Sequence, residues 1–148
     1  MDEHRIRLRG GWECRAAGSP ECENRRLNLP VRWESEGPRR LVLTRRFGRP
    51  PLNQGQQVLF LQMDQVEGIL SLVLNGQPIG RTAASISSYE IEVPDLAERN
   101  VLVLEIALPE PRPEVTGGRE EWGVIALVVR TTDLAIDARA LASPKKST

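Results

Sequence analysis

The chain has 148 residues, 40% of them apolar and 27% charged. That composition excludes disorder and suits one globular domain, which at this size buries roughly two-thirds of its unfolded surface. Its 20 acidic and 20 basic residues cancel, so no net field draws it to nucleic acid or to an anionic membrane. No stretch approaches the roughly 20 apolar residues of a membrane helix. Met1–Arg9 is charged where a secretory signal would be apolar, so a soluble cytoplasmic protein is the expectation.

Alternating patterns recur along the whole chain and predict strands. Ile6–Arg15 and Leu27–Trp33 read as the first two. In Leu41–Phe47, positions Leu41, Leu43 and Phe47 share one face, with Thr44 and Arg46 opposite. Leu59, Leu61 and Met63 do the same in Val58–Asp64, and Leu70, Leu72 and Leu74 in Gly68–Asn75. Tyr89, Ile91 and Val93 alternate with Glu90 and Glu92, as in a strand with one wet side. Val101–Leu108 and Val124–Arg130 are apolar on both faces, the pattern of central strands packed between a core and some covering element.

Turn signals separate these runs: Glu36-Gly37-Pro38, Arg49-Pro50-Pro51, Asn53-Gln54-Gly55, Asn75-Gly76 and Thr116-Gly117-Gly118. Asn-Gly between apolar runs predicts a hairpin, because both residues accept positive φ in a type I′ turn. Asp95–Arg99 offers one helical turn at most, Pro109–Gly118 is a long loop, and the tail after Asp133 has little to bury. About eight strands spaced by about 10 residues, with no amphipathic helix, predict an all-β sandwich or barrel of antiparallel strands. Residues 1–148 form one domain with its core over about 6–131 and a C-terminal extension over 134–148.

The order of motifs resembles the sugar-binding jelly roll of family 2 glycoside hydrolases, a galactose-binding-domain-like fold. Leu8-Arg9-Gly10-Gly11-Trp12-Glu13 looks like its opening strand, and Leu29-Pro30-Val31-Arg32-Trp33 like its proline-then-tryptophan segment. Leu72-Val73-Leu74-Asn75-Gly76-Gln77-Pro78-Ile79-Gly80 is similar to its apolar strand leading into an Asn-Gly turn. Ser88–Val93, Glu98–Leu104 and Gly118–Arg130, the last with Trp122-Gly123-Val124, resemble the strands that follow. Two places depart from the pattern: Arg99 stands where a glycine is usual, and Arg81–Ser88 lacks an aromatic and glycine pair. The resemblance implies a two-sheet jelly-roll sandwich with an accessory role, and carries over no catalytic residue.

The residues themselves point away from an enzyme. His4 is the only histidine and lies in the N-terminal segment, so no nucleophile in the body has an imidazole partner. Glu120-Glu121 is the obvious carboxylate pair, yet neighbouring strand residues face opposite ways. No cofactor is expected: Asp64, Asp95 and Asp133 are too scattered for a calcium site, although folds of this kind often carry one in a loop. Cys14 and Cys22 lack C-x-x-C spacing, which argues against zinc and leaves free thiols or a short disulfide around Gly18–Pro20. The arginine pairs at 25–26, 39–40 and 45–46 are interleaved with acids and short of the aromatics a nucleic-acid platform needs.

Carbohydrate binding is the chemistry left. Sugars are held by an aromatic ring against their apolar face and by planar polar groups that hydrogen-bond their hydroxyls. Trp12 and Trp33 lie in strand motifs and read as packing, whereas Trp122 stands where the last strand begins, beside Arg119 and Glu121. Trp122, Arg119 and Glu121, joined by Arg81 and Asn53 from neighbouring turns, form the candidate ligand site, and packing at the sandwich end is the competing role for Trp122. A protein-interaction sandwich that has lost its sugar site, binding a partner or itself through the apolar outer faces of Val101–Leu108 and Val124–Val129, is the alternative.

Overall fold

A computed structural model describes residues 3–18, 24–33, 39–52, 56–93, 96–108 and 121–131. The turn at Glu36–Pro38, Asn53-Gln54-Gly55, the Pro109–Gly118 loop, Cys22 and the tail after Asp133 lie outside the described residues. The strands are β1 (Glu3–Arg7), β2 (Trp12–Ala16), β3 (Arg25–Leu27), β4 (Arg40–Gly48), β5 (Gln57–Asp64), β6 (Ile69–Leu74), β7 (Gln77–Pro78), β8 (Ser88–Glu92), β9 (Arg99–Ala107) and β10 (Val124–Thr131). They form two antiparallel sheets, ordered β1-β10-β5-β8 and β3-β2-β4-β9-β6-β7. Among the described residues there is no helix, and Arg99 opens β9 rather than closing a helical turn.

The core is the layer between the sheets. Leu41, Leu43, Leu59, Leu61, Met63, Leu72, Leu102, Leu104 and Ile106 are each at most 3% exposed there. The period of two in β4, β5 and β8 matches their faces as read, whereas β9, read as apolar on both faces, buries Leu102, Leu104 and Ile106 and leaves Val101, Val103 and Glu105 half-buried. Burying each such side chain stabilises by about 1.5–3 kcal/mol. β10 is buried from Ile125 to Val129 on both faces: Ile125, Leu127 and Val129 join the interior cluster, while Ala126 and Val128 face away from it and are still 0% exposed.

Three strand assignments change. Ile6–Arg15 is two strands in different sheets, because Gly11 at φ 78° ends the extended run and turns the chain across the sandwich edge. The crossing is pinned where the Trp12 indole Nε1 donates to the Leu8 carbonyl at 2.8 Å. Leu27–Trp33 leaves the sheet after β3, with Leu29-Pro30 in cis and Val31 bridging to Trp122 instead. In β6, Leu70 is 38% exposed and Ile69 is 0% exposed, because a bulge between Ile69 and Ser71 resets the alternation. The bulge follows Gly68, whose φ of 100° and close approach leave no room for a side chain: a Cβ would lie 2.3 Å from the Ala107 carbonyl oxygen. The hairpin at Asn75-Gly76 joins β6 to β7 with both residues at positive φ, 52° and 80°.

Candidate functional site

Four segments meet at one corner. Val31 and Trp122 exchange backbone hydrogen bonds of 2.9 and 2.7 Å. The Gly123 amide donates to the Gln65 carbonyl, and the Trp122 indole Nε1 donates to the Glu67 carbonyl at 2.9 Å. From the other side, the Val66 and Gly68 amides donate to the carbonyls of Ser87 and Ala84. Tyr89 holds that last loop in place, its hydroxyl donating to the Ala83 carbonyl and accepting from the Ala83 amide. The connection 65–68 is thus clasped between Trp122-Gly123 and the loop carrying residues 81–87.

The corner is aromatic at its centre. Trp33 and Trp122 lie 5.8 Å apart between ring centroids, tilted at 58°. Such tilted pairs add about 0.5–1.5 kcal/mol beyond area burial. Trp122 is only 7% exposed and spends its N–H on the chain itself. Trp33 is half-buried, and its indole Nε1 has no hydrogen-bond partner among the described residues. Of the two rings, Trp33 is the one that keeps open surface; it also packs against the core cluster, as sequence patterning placed it, and its Nε1 is buried. Nothing local could have shown its pairing with Trp122, which depends on a bridge between segments far apart in the chain.

Of the other candidates, Glu121 and Arg81 are exposed, Glu121 next to Trp122 and Arg81 three residues before Ala84, whose carbonyl accepts from the Gly68 amide. Arg119 and Asn53 lie outside the described residues. Among the described residues no three His, Cys, Asp or Glu side chains cluster as metal ligands, and no helix is long and apolar enough to cross a membrane.

The remaining polar groups do structural work. Asn100, 1% exposed, accepts at Oδ1 from the Ala97 amide and from Asn75 Nδ2, both at 2.9 Å, and donates to the Ala97 and Phe47 carbonyls. Asn75 Oδ1 in turn accepts from the Val101 amide at 2.8 Å. The second residue of β9, Asn100, and the Asn-Gly turn are therefore one latch. On the outer face of the four-stranded sheet, Arg130 lies 4.8 Å from the Phe60 ring centroid and pairs with Glu90 and Glu3. The Arg130 hydrogen bond holds the Glu90 carboxyl below its usual range.

Other sequence features resolve plainly. His4 sits exposed in β1 opposite Val129 rather than in a tail. Cys14 is a buried free thiol, its pKa pushed up by burial. The arginine pairs split across two faces of the sheet: Arg46 meets Glu13 and Arg40 meets Glu105, while Arg45 lies in register with Trp12 and Leu102 and its pKa is lowered by burial.

No protein family and no curated protein matches the chain by sequence. Its fold, however, matches solved structures. An FMN-binding β-glucuronidase from Facaelibacterium prausnitzii L2-6 superposes with a TM-score of 0.66 at 16% identity, over 87% of this chain and 23% of that enzyme. A β-glucuronidase from Bifidobacterium dentium, complexed with coumarin-3-O-glucuronide, gives 0.63 at 16% identity over 87% and 30%. A GH2 β-galacturonidase from Eisenbergiella tayi bound to galacturonate gives 0.60 at 15% identity over 86% and 24%. The chain spans less than a third of the length of each enzyme. Its fold is that of the sugar-binding jelly roll of family 2 glycoside hydrolases.

Proposed function

We propose that this chain is a non-catalytic, carbohydrate-binding-like module, the accessory sandwich of a glycoside-hydrolase-type system. One observation carries the reading: the fold match takes in nearly all of this chain and about a quarter of each enzyme. A sugar would meet the corner of Trp33, Glu121 and Arg81, with Trp122 as the rigid wall behind. Trp33 would give ring surface, and Glu121 and Arg81 would reach hydroxyls or a carboxylate. No cofactor enters this scheme. A glycan array that includes uronic-acid glycans, run with the wild type and Trp33→Ala, tests it. Binding that Trp33→Ala abolishes is the expected result, and an array blank for a folded wild type overturns the reading.

A second reading has its own observation. Val73 and Val103 are half-buried and in register on the outer face of the six-stranded sheet, with Val101 two residues along β9 and Val42 opposite Glu105. Such a face suits packing against another protein surface, and a blank array would favour it.

A further inference from the structure

We infer that Asn75-Gly76 is a site of spontaneous backbone modification, and that the latch to Asn100 sets its rate. The two residues are exposed at the tip of the hairpin, and nothing lies within 4 Å of where a Cβ on Gly76 would be. With no side chain on residue 76, its backbone nitrogen is open to the neighbouring carboxamide carbon. In the reaction the Gly76 amide gives up its proton and forms a bond to Asn75 Cγ. The Cγ–Nδ2 bond breaks, and Nδ2 leaves as ammonia with that proton. Water then opens the cyclic imide at either carbonyl, giving aspartate or isoaspartate. No oxidant, reductant or enzyme is needed.

The folded chain opposes this chemistry at both ends of the carboxamide. Asn75 Oδ1 accepts from the Val101 amide at 2.8 Å, and Asn75 Nδ2 donates to Asn100 Oδ1 at 2.9 Å. Asn100 is itself immobile, 1% exposed and bonded to Ala97 and Phe47. Cγ reaches the Gly76 nitrogen only when these contacts open, so the reaction follows the open fraction of the turn. The product cannot restore the latch. A carboxylate at position 75 has no proton to give Asn100 Oδ1, and two acceptor oxygens then face each other. Isoaspartate also inserts a methylene into the backbone between the Asn75 amide, bonded to the Val101 carbonyl, and Gly76. Modification therefore unzips the corner that Asn100 closes, at a distance from the Trp33 corner and independently of any sugar.

The test incubates the purified protein at mildly alkaline pH and follows the Asn75 peptide by mass spectrometry, the product being heavier by the exchange of NH for O. Three samples are compared: folded wild type, wild type in denaturant, and Asn100→Ala. The folded wild type is expected to react at least about fivefold more slowly than the denatured chain, what one neutral hydrogen bond does to an opening equilibrium. Asn100→Ala, folded by circular dichroism, is expected to react several-fold faster than folded wild type and still more slowly than the denatured chain, because the Val101 amide keeps its bond to Asn75 Oδ1. Equal rates in folded and denatured wild type, or an unchanged rate in folded Asn100→Ala, overturn the inference. Should Asn100→Ala not fold, hydrogen exchange at the Val101 amide of aged wild type decides. Faster exchange there than in fresh protein supports the latch, and identical exchange in a fully modified sample overturns it.

Discussion

Asn100 and Trp33 are polar-tipped side chains at two corners of one sandwich, and among the described residues the first has its polar atoms met and the second does not. Asn100 makes four hydrogen bonds to Ala97, Phe47 and Asn75 in near-complete burial. Trp33 has a buried Nε1 without a partner among the described residues and keeps part of its ring in the open. A buried donor without a partner costs about 1–3 kcal/mol, and folds tolerate such costs mainly where something else is gained. The saturated corner is there for the fold. The other keeps part of a ring open to solvent, and the proposed sugar site rests on that surface.

Substitutions sharpen the comparison. The largest effect is expected away from both corners. Leu72→Asp buries an unpaired charge in a position 2% exposed, at a cost of several kcal/mol against a total stability of roughly 5–15 kcal/mol. Thermal or urea denaturation should find the variant unfolded, and near-normal stability would mean the faces of β6 are misassigned.

Next comes the tryptophan pair. Trp122→Phe deletes the donor to the Glu67 carbonyl and should destabilise by about 1–3 kcal/mol. Trp33→Phe removes a donor that bonds to nothing among the described residues, so its cost should be smaller, within about 1 kcal/mol. Urea midpoints of the two variants check the order, and equal losses would erase the distinction between wall and ligand-facing ring.

The contrast also explains what the sequence could tell. Where pattern and backbone agree, as in Leu59-Leu61-Met63 and Tyr89-Ile91-Val93, alternation alone assigns the core face. Asn75-Gly76 was legible because its chemistry is local: two adjacent residues that tolerate positive φ. Leu70 was misplaced because a bulge set by the Gly68–Ala107 approach shifts the alternation, and that approach joins strands far apart in sequence. The break at Gly11 was hidden for a related reason: a glycine inside an apolar run does not say whether the chain bulges or changes sheet.

The site was less legible than the fold. Trp122 was singled out from its neighbours in the chain, and the corner it occupies does join residues 65–68 to Trp122, beside Glu121, and to the loop that carries Arg81. Its own ring is walled in, and the ring with open surface belongs to Trp33, brought there by the Val31–Trp122 bridge. Similarly, Asn100 looked like one residue of a strand motif, and only its partners at Asn75, Ala97 and Phe47 reveal a latch. Periodicity reports which face is buried. It does not report which buried polar atoms have been answered.

The most direct test of the proposed sugar site is to map backbone amide shifts while titrating the folded protein with methyl β-glucuronide and methyl β-galactoside. The account predicts saturable shifts concentrated at Val31–Trp33, Glu121–Gly123 and the loop 81–87, and their loss in Trp33→Ala. Saturable shifts on the outer face of the six-stranded sheet, or none with either sugar, would contradict it.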